Sequence, residues 1–519
     1  MAPELAAALP EDVLTEVLRR LSPHVLAASR WVCRAWRDVI DARLRHLLFS
    51  HSVSGIFINY TARTHGFSKF FSRPSMGPAI HGGLDFLLCD GVKVTDHCNG
   101  LLLCYDGERD YVVNPATRRW ARLPRRRPQP HMTGFGQSAC LAFEPAVSPH
   151  YEVFLMPCLP SDGDGDGESN DEEDTLLRSE WPPASYSLHV FSSMADRWDE
   201  RTFLREGEAE GIVAHTYSDL RYHHAVYWRS NLYIHSRHGC YLTRMSSTNH
   251  TYRVIRLPGD DDVRQGGYPY YHLGRSLEGI YCAQNKYWNK LLLWHLSEPS
   301  RDQTEWVLKH DIDLAAFAHN FHALNYRQMF FEEDHAQQVG GPWILQDVKD
   351  FQNFEELWIF DEDSMGSWNS EEHNILDIDD AFERNYGGGG HHFLGFHPYK
   401  EIVYLEFPIG RGVAYDWNSS KFHDLGNLKP QGYHYLQLGT DACFPYTPCW
   451  MGQFPGNELE TQLKYEELLT KKLELEAQLE SSSNFTCVDE YELHKHRGHA
   501  NRIKDCAAKT RRRRRIVAR

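Results

Sequence analysis

The sequence predicts a multidomain α + all-β protein. Three amino-terminal helices come first, then a β-propeller-like repeat domain of six or seven blades, then a carboxy-terminal helix and a basic tail. Two observations carry this reading. Helical periodicity is confined to the two ends of the 519 residues, and between them aromatic residues recur at a period near 54. A third observation fits both: 13% aromatics, with 37 Gly and 25 Pro, favour many short strands and tight turns.

Composition narrows the class further. With 41% hydrophobic and 24% charged residues, the chain has the balance of a folded globular protein. Mean hydropathy is −0.55 and no run of 18 apolar residues occurs, which argues against a membrane partner. The opening MAPELAAALP lacks a basic stretch and carries Glu4, so it does not read as a secretory signal; a cytoplasmic and/or nuclear location is expected. Twelve cysteines run from Cys33 to Cys506 without a CxxC, a spacing for buried thiols rather than disulfides or zinc. The net charge of −16 is asymmetric: residues 495–519 carry a local +10, leaving −26 on the rest. Phosphates repel an acidic body, so no nucleic-acid partner is expected outside the tail.

Residues 1–50 form the helical domain. In LPEDVLTEVLRRL, residues Leu14, Val17, Leu18 and Leu21 fall on one helical face, with Pro10 in a first-turn position and Glu11 and Asp12 at the positive end of the dipole. Ser22-Pro23 ends that helix and starts the next, with Ser22 as its N-cap. A third helix is expected from about Trp31, through Val32, Trp36, Val39, Ile40 and Leu47. A unit this small tends to complete its core on a partner surface.

The string LPEDVLTEVLRRLSPHVLAASRWVCRAWRDVI resembles the F-box, with Leu9, Pro10, Asp12, Leu14, Glu16, Leu18, Arg20, Leu21, Arg30, Val32, Cys33, Trp36, Arg37 and Ile40 on its pattern. Ser22 departs from the usual Pro, and Ala28 from a frequent Arg. The resemblance implies docking onto the Skp adaptor, and through it cullin, in an SCF (Skp–cullin–F-box) ubiquitin ligase. The implied adaptor-binding residues are Leu9, Pro10, Leu14, Leu18, Leu21, Leu26, Val32, Cys33 and Trp36.

Residues 51–455 carry the repeat. A β-run ends in a Ser/Thr/Pro/Asn turn, and an aromatic opens the next strand: Trp120, Trp198, Tyr252, Trp306, Trp368 and Phe422. Successive spacings are 78, 54, 54, 62 and 54, and the long first gap holds the acidic insertion 161–180. A period near 54 is close to the kelch repeat, one four-stranded blade per copy. Stacking blades around an axis buries the edges and apolar faces that each would expose alone, and these aromatics are read as core between blades. HCNGLLLCYDG, YVVNPATRRWARLP, LGFHPYKEIVYLEFP and YDWNSSKFHDLGNL resemble the F-box-associated region of the large plant F-box family. That resemblance implies recognition of a protein substrate, whose identity the sequence does not reveal; a two-sheet β-domain stays open as an alternative architecture.

Motifs for chemistry are weak. Asp162, Asp164, Asp166, Gly167 and Glu173 fit an EF-hand loop, but prolines flank both sides and the two helices it needs are missing; the insertion reads as a disordered, solvated loop. Cys487, His494, His496, His499 and Cys506 lack the paired spacing of structural zinc. Gly387–Gly390 lacks the strand–helix context that cradles phosphate. No HExxH, GxSxG, Walker A or GxGxxG string occurs. No cofactor, metal or catalytic residue is therefore assigned. Residues 456–482 read as an amphipathic helix with Tyr465, Leu468, Leu475 and Leu479 near an a/d seam, and 483–519 as a disordered basic tail. Within the tail, Lys509, Arg511, Arg512, Arg513, Arg514 and Arg515 form a candidate nuclear-import cluster. The sequence thus points to a non-catalytic substrate receptor, with a Skp-binding scaffold or a propeller enzyme as the alternatives.

Overall fold

The computed structural model describes residues 10–62, 66–74, 92–128, 136–158, 178–212, 223–236, 241–258, 270–286, 290–300, 303–314, 342–347, 391–407, 410–430 and 438–451, with a few more between 80 and 87. Met1–Asn457 form one compact unit and Glu458–Arg519 a second. The second unit, with the expected helix 456–482 and the basic tail, lies outside the described residues, as does most of the acidic insertion.

Three short helices open the described chain. α1 (Glu11–Arg19) begins after Pro10 with two acidic residues in its first turn, where they meet the positive end of the helix dipole. α2 (Pro23–Ser29) starts with Pro23, although the Ser22 side chain makes no capping bond. α3 (Arg34–Val39) continues as a π turn to Leu44 and a 3-10 turn to Leu48. It begins three residues later than its expected start at Trp31. The N–H groups of Trp31 and Val32 donate back to Ala28 and Ser29 carbonyls, and an extended Cys33 then breaks the run. Arg30 pairs with Asp41 at 2.8 Å, and Arg43 reaches Glu11 and Asp12 at 2.9 and 3.0 Å, fixing the third helical stretch against the others.

The β-domain is built from antiparallel meanders. β1 (Gly55–Ala62) and β2 (Gly66–Ser72) come first and await their partners. β3 (Lys93–Cys98), β4 (Leu101–Tyr105), β5 (Asp110–Asn114) and β6 (Arg119–Arg122) form one sheet. In the second, β7 (Gly136–Phe143) and β8 (Tyr151–Cys158) pair, the two-residue β9 (Glu180–Trp181) intervenes, and β10 (Ser185–Ser192) and β11 (Arg197–Glu206) complete it. β12 (Gly211–Ile212) pairs with β9. The third sheet is β13 (His223–Trp228), β14 (Asn231–Ser236), β15 (Tyr241–Ser246) and β16 (Thr251–Arg256). Its outer strand runs parallel to that of the second sheet, Leu204 opposite Thr251. The fourth is β17 (Tyr270–Ser276), β18 (Gly279–Lys286), β19 (Lys290–Ser300) and β20 (Gln303–Asp313). After β21 (Ile344–Asp347) comes the fifth: β22 (His392–Phe396), β23 (Ile402–Phe407), β24 (Arg411–Asp416) and β25 (Lys421–Asn427). Last, β26 (Leu438–Tyr446) pairs with β1, giving a sixth sheet in the order β21-β2-β1-β26.

The innermost strands form a ring. β3 lies beside β7, β7 beside β13, β13 beside β17, β17 beside β22, β22 beside β26, and β26 beside β3. Among the described residues the ring closes on six four-stranded meanders, two of them joined edge to edge through β11 and β16, so the described β-domain is propeller-like with six blades. Apolar side chains fill the wedges between blades: Leu293 and Ile312 of the fourth pack with Val403, Leu405 and Phe422 of the fifth.

Crowding at the axis dictates small residues there. A Cβ on Gly274 of β17 would lie 2.2 Å from the Phe396 ring, and one on Gly395 of β22 would lie 2.4 Å from Pro445. Gly395 also has φ +140°, which L side chains rarely adopt. Asp96 staples two blades: its carboxylate accepts the Leu141 N–H of the next sheet at 2.7 Å and the His97 N–H at 2.8 Å. Burial raises the Asp96 pKa to about 7 despite those two donors, and lowers that of His97 to about 4.

Two predictions follow from the axis. Gly274→Ala is expected to cost about 1–3 kcal/mol through overpacking. Phe396→Leu, which shortens the ring it would strike, should recover part of that loss in the double variant; strictly additive losses in denaturant melts would refute the contact. For Asp96 the folded pKa is raised, so its contribution is greatest at low pH and falls as pH rises from about 4 to about 7. Stability of the wild type relative to Asp96→Asn should therefore drop by about 1.4 kcal/mol per unit between pH 5 and 7, then level off. A pH-independent difference would contradict it.

Candidate functional site

The helices carry two apolar faces with different fates. Leu14, Leu18 and Leu26 are fully buried, and so are Val39, Ile40, Leu44 and Leu48. They share one core with Cys449, Met451 and residues of the first two blades, against which Leu21 and Trp36 are partly buried. The backbone is stitched as well: Trp450 N–H donates to Leu48 O at 2.9 Å and Ser50 N–H to Pro448 O at 3.0 Å, around a Phe49–Cys449 bridge. His24 of α2 meets the Trp450 ring edge-on at 4.7 Å.

The other face is open. Of the eleven large hydrophobics exposed among the described residues, Val13, Val17, Val25, Trp31 and Val32 all lie in this short helical stretch. Such a concentration is what an interaction surface looks like. Leu14, Leu18 and Leu26, which the resemblance implies as adaptor contacts, are buried in this shared core. Val32 and Pro10 are exposed, Cys33 and Leu21 are half-buried, and Leu9 lies outside the described residues. The valines at 13, 17 and 25 were missed because the helices are apolar on more than one side.

The repeat aromatics share one local geometry. Trp120, Trp198, Tyr252 and Phe422 are each the second residue of the outermost strand of a blade, and all four are buried. Two residues earlier, Arg118, Asp196, His250 and Ser420 each adopt φ between 53° and 56°. Six residues earlier, Asn114, Ser192, Ser246 and Asp416 each accept a turn N–H through the side chain. Trp306 is half-buried further along β20, and Trp368 lies outside the described residues. Trp198 and Trp306 also bond across blades, their indole N–H groups donating to Pro124 O at 3.1 Å and Arg256 O at 2.7 Å.

The channel enclosed by the inner strands holds a cavity of about 130 Å³. Its wall is mixed: Asp96 and His97 from β3, His272 and Arg275 from β17, Asp441 from β26. Lys93 pairs with Asp441 at the end where these strands begin, and His272 stacks on Phe393 at 4.9 Å. Burial raises the thiols of Cys98, Cys140 and Cys282, so they pack as small apolar groups rather than ionise at neutral pH. Among the described residues no three His, Cys, Asp or Glu side chains converge as metal ligands, and no helix is long and apolar enough to cross a membrane. The EF-hand-like residues Asp162 to Glu173, the Gly387–Gly390 run, the Cys487–Cys506 cluster and Lys509 to Arg515 all lie outside the described residues.

Residues 6–50 match the F-box-like family. An F-box/kelch-repeat protein of Arabidopsis thaliana is 25% identical over 363 residues, covering 64% of this chain and 79% of that protein. An F-box protein of the same plant is 24% identical over 301 residues, covering 56% and 76%. Among solved structures, YCF48 from Cyanidioschyzon merolae aligns with a TM-score of 0.31 at 8% identity, covering 72% of this chain and 85% of that one. The chain carries an amino-terminal F-box-like domain and is related over much of its length to plant F-box and F-box/kelch-repeat proteins.

Proposed function

We propose that this protein is the substrate receptor of an SCF-type ubiquitin ligase. The F-box helices would bind the Skp adaptor, and through it cullin, while the propeller holds a protein substrate. The receptor does no bond chemistry itself; it raises the substrate's effective concentration beside the conjugating enzyme. The observation that carries this reading is the exposure of Val13, Val17, Val25, Trp31 and Val32 within a short helical stretch whose other apolar residues are already committed to the β-domain. A receptor needs one surface for the adaptor and a separate body for the substrate, and this division supplies both. Cytoplasmic and/or nuclear residence accords with such a role.

The two faces predict opposite variants. Val17→Asp lies on open surface, so its effect on melting should stay within about 0.5 kcal/mol. It should weaken co-purified Skp adaptor at least tenfold, about 1.4 kcal/mol. Leu18→Ala empties a buried site and should cost about 2–5 kcal/mol of stability. Full adaptor binding by folded Val17→Asp would refute this docking face. In cells, Val17→Asp should lengthen the lifetime of whatever protein the propeller captures, because it leaves the shared core intact; an unchanged lifetime would favour the scaffold role.

A further inference from the structure

The inner strands end on the side of the ring where the F-box attaches: Cys449, which continues β26, packs against Gly100 just after β3, and His51 of the connecting segment lies 4.5 Å from the Tyr399 ring. Arg275, the penultimate residue of β17, sits at this mouth and lines the cavity. Its guanidinium carbon lies 4.3 Å from the Trp228 ring centre and 5.1 Å from that of Tyr399. Nη1 donates to Asn99 Oδ1 at 3.1 Å, and Asn99 is itself tied to Phe143 O at 2.6 Å. Three other blades thus hold one cation: the first through Asn99, the third through Trp228 and the fifth through Tyr399.

The cation is held but unanswered. Its Nε–H is buried without a hydrogen-bond partner, and among the described residues it makes no ion pair. Glu144 feels its charge yet remains raised by burial rather than joined to it. Fixing a guanidinium this firmly, beside rings that orient it and with no carboxylate in ion-pair contact among the described residues, is costly unless a ligand supplies one. Asp96 and Asp441 line the same cavity and would repel a dianion, and about 130 Å³ admits only a small group.

We propose that Arg275 anchors one carboxylate of an acidic peptide segment at this mouth, an oxygen accepting from its remaining guanidinium N–H groups. This rests on the receptor reading, since it names the chemistry of the captured segment. The carboxylate is either an acidic side chain or a chain end.

The test uses the full chain bound to the Skp adaptor and two fluorescein-labelled pentapeptides of glycine and serine. One has a central glutamate and an amidated end; the other has a free carboxy-terminus and no acidic side chain. Anisotropy should show one of them bound, which identifies the source of the carboxylate. Arg275→Gln should weaken that binding at least tenfold and Arg275→Lys about threefold or more, while Arg229→Gln, an exposed cation on the same Trp228, leaves it unchanged. Arg275→Lys keeps the charge and decides the matter if Arg275→Gln fails to fold. Binding of neither peptide, equal binding by both Arg275 variants and wild type, or stronger competition from inorganic phosphate than from acetate would each overturn the anchor. Adaptor retained in those same samples leaves the receptor reading standing; adaptor absent from the wild type sinks the receptor reading instead.

Discussion

Everything in this molecule hangs on the pairing of β1 with β26, strands separated by almost the whole β-domain. Eight residue pairs, from Gly55 opposite Tyr446 to Ala62 opposite Leu438, close the ring. The ladder does not stop there. Ser54 N–H donates to Tyr446 O, Ser50 N–H to Pro448 O and Trp450 N–H to Leu48 O, so the two chain segments stay antiparallel until they reach the helices. One continuous set of backbone bonds both shuts the propeller and carries the F-box. A closing strand from the far end of the chain hides two edges that would otherwise recruit other chains. Closure entropy grows only logarithmically with the length of chain spanned, so the long insertions between strands add little to what the ladder must overcome.

The repeat was legible in the sequence because its signal is local. A side-chain acceptor, a left-handed residue four positions on and an aromatic two beyond that are fixed by the geometry of one turn, whatever the rest of the blade does. Asn114 to Trp120 and Asp416 to Phe422 therefore look alike despite being 302 residues apart. Blade number was not legible, since it depends on which strands meet after several hundred residues. The channel was harder still: Asp96, Arg275 and Asp441 come together only through ring closure. Leu273-Gly274 and Leu394-Gly395, small residues at equivalent approaches to the axis, were the available hint.

The helical unit shows why amphipathic patterning misled on one point and succeeded on another. Periodicity found α1 and its buried Leu14 and Leu18, but the assumption of a single apolar face fails for a helix with neighbours on two sides. Leucines occupy the side that must pack densely against Cys449 and Met451. Smaller valines occupy the open side, where a β-branched residue pre-orders its surface with little entropy left to lose. The third helix was misplaced for a different reason. Trp31 and Val32 continue the apolar pattern, yet the turn bonds and the extended Cys33 override it.

That division has a mechanical consequence. A receptor tethered by a flexible linker would hold its two partners at a loosely defined distance, and effective concentration would fall as the linker lengthened. Here the Leu48–Trp450 bond, the Phe49–Cys449 bridge and the Arg43 ion pairs leave no such linker between the open valine face and the blades. Under the receptor reading, rotation about that joint is resisted by a packed core rather than by chain entropy. The direction in which a captured segment faces is then set by the same β1–β26 ladder that closes the ring. Loosening the ladder would open the sixth blade and change the geometry of delivery in the same step.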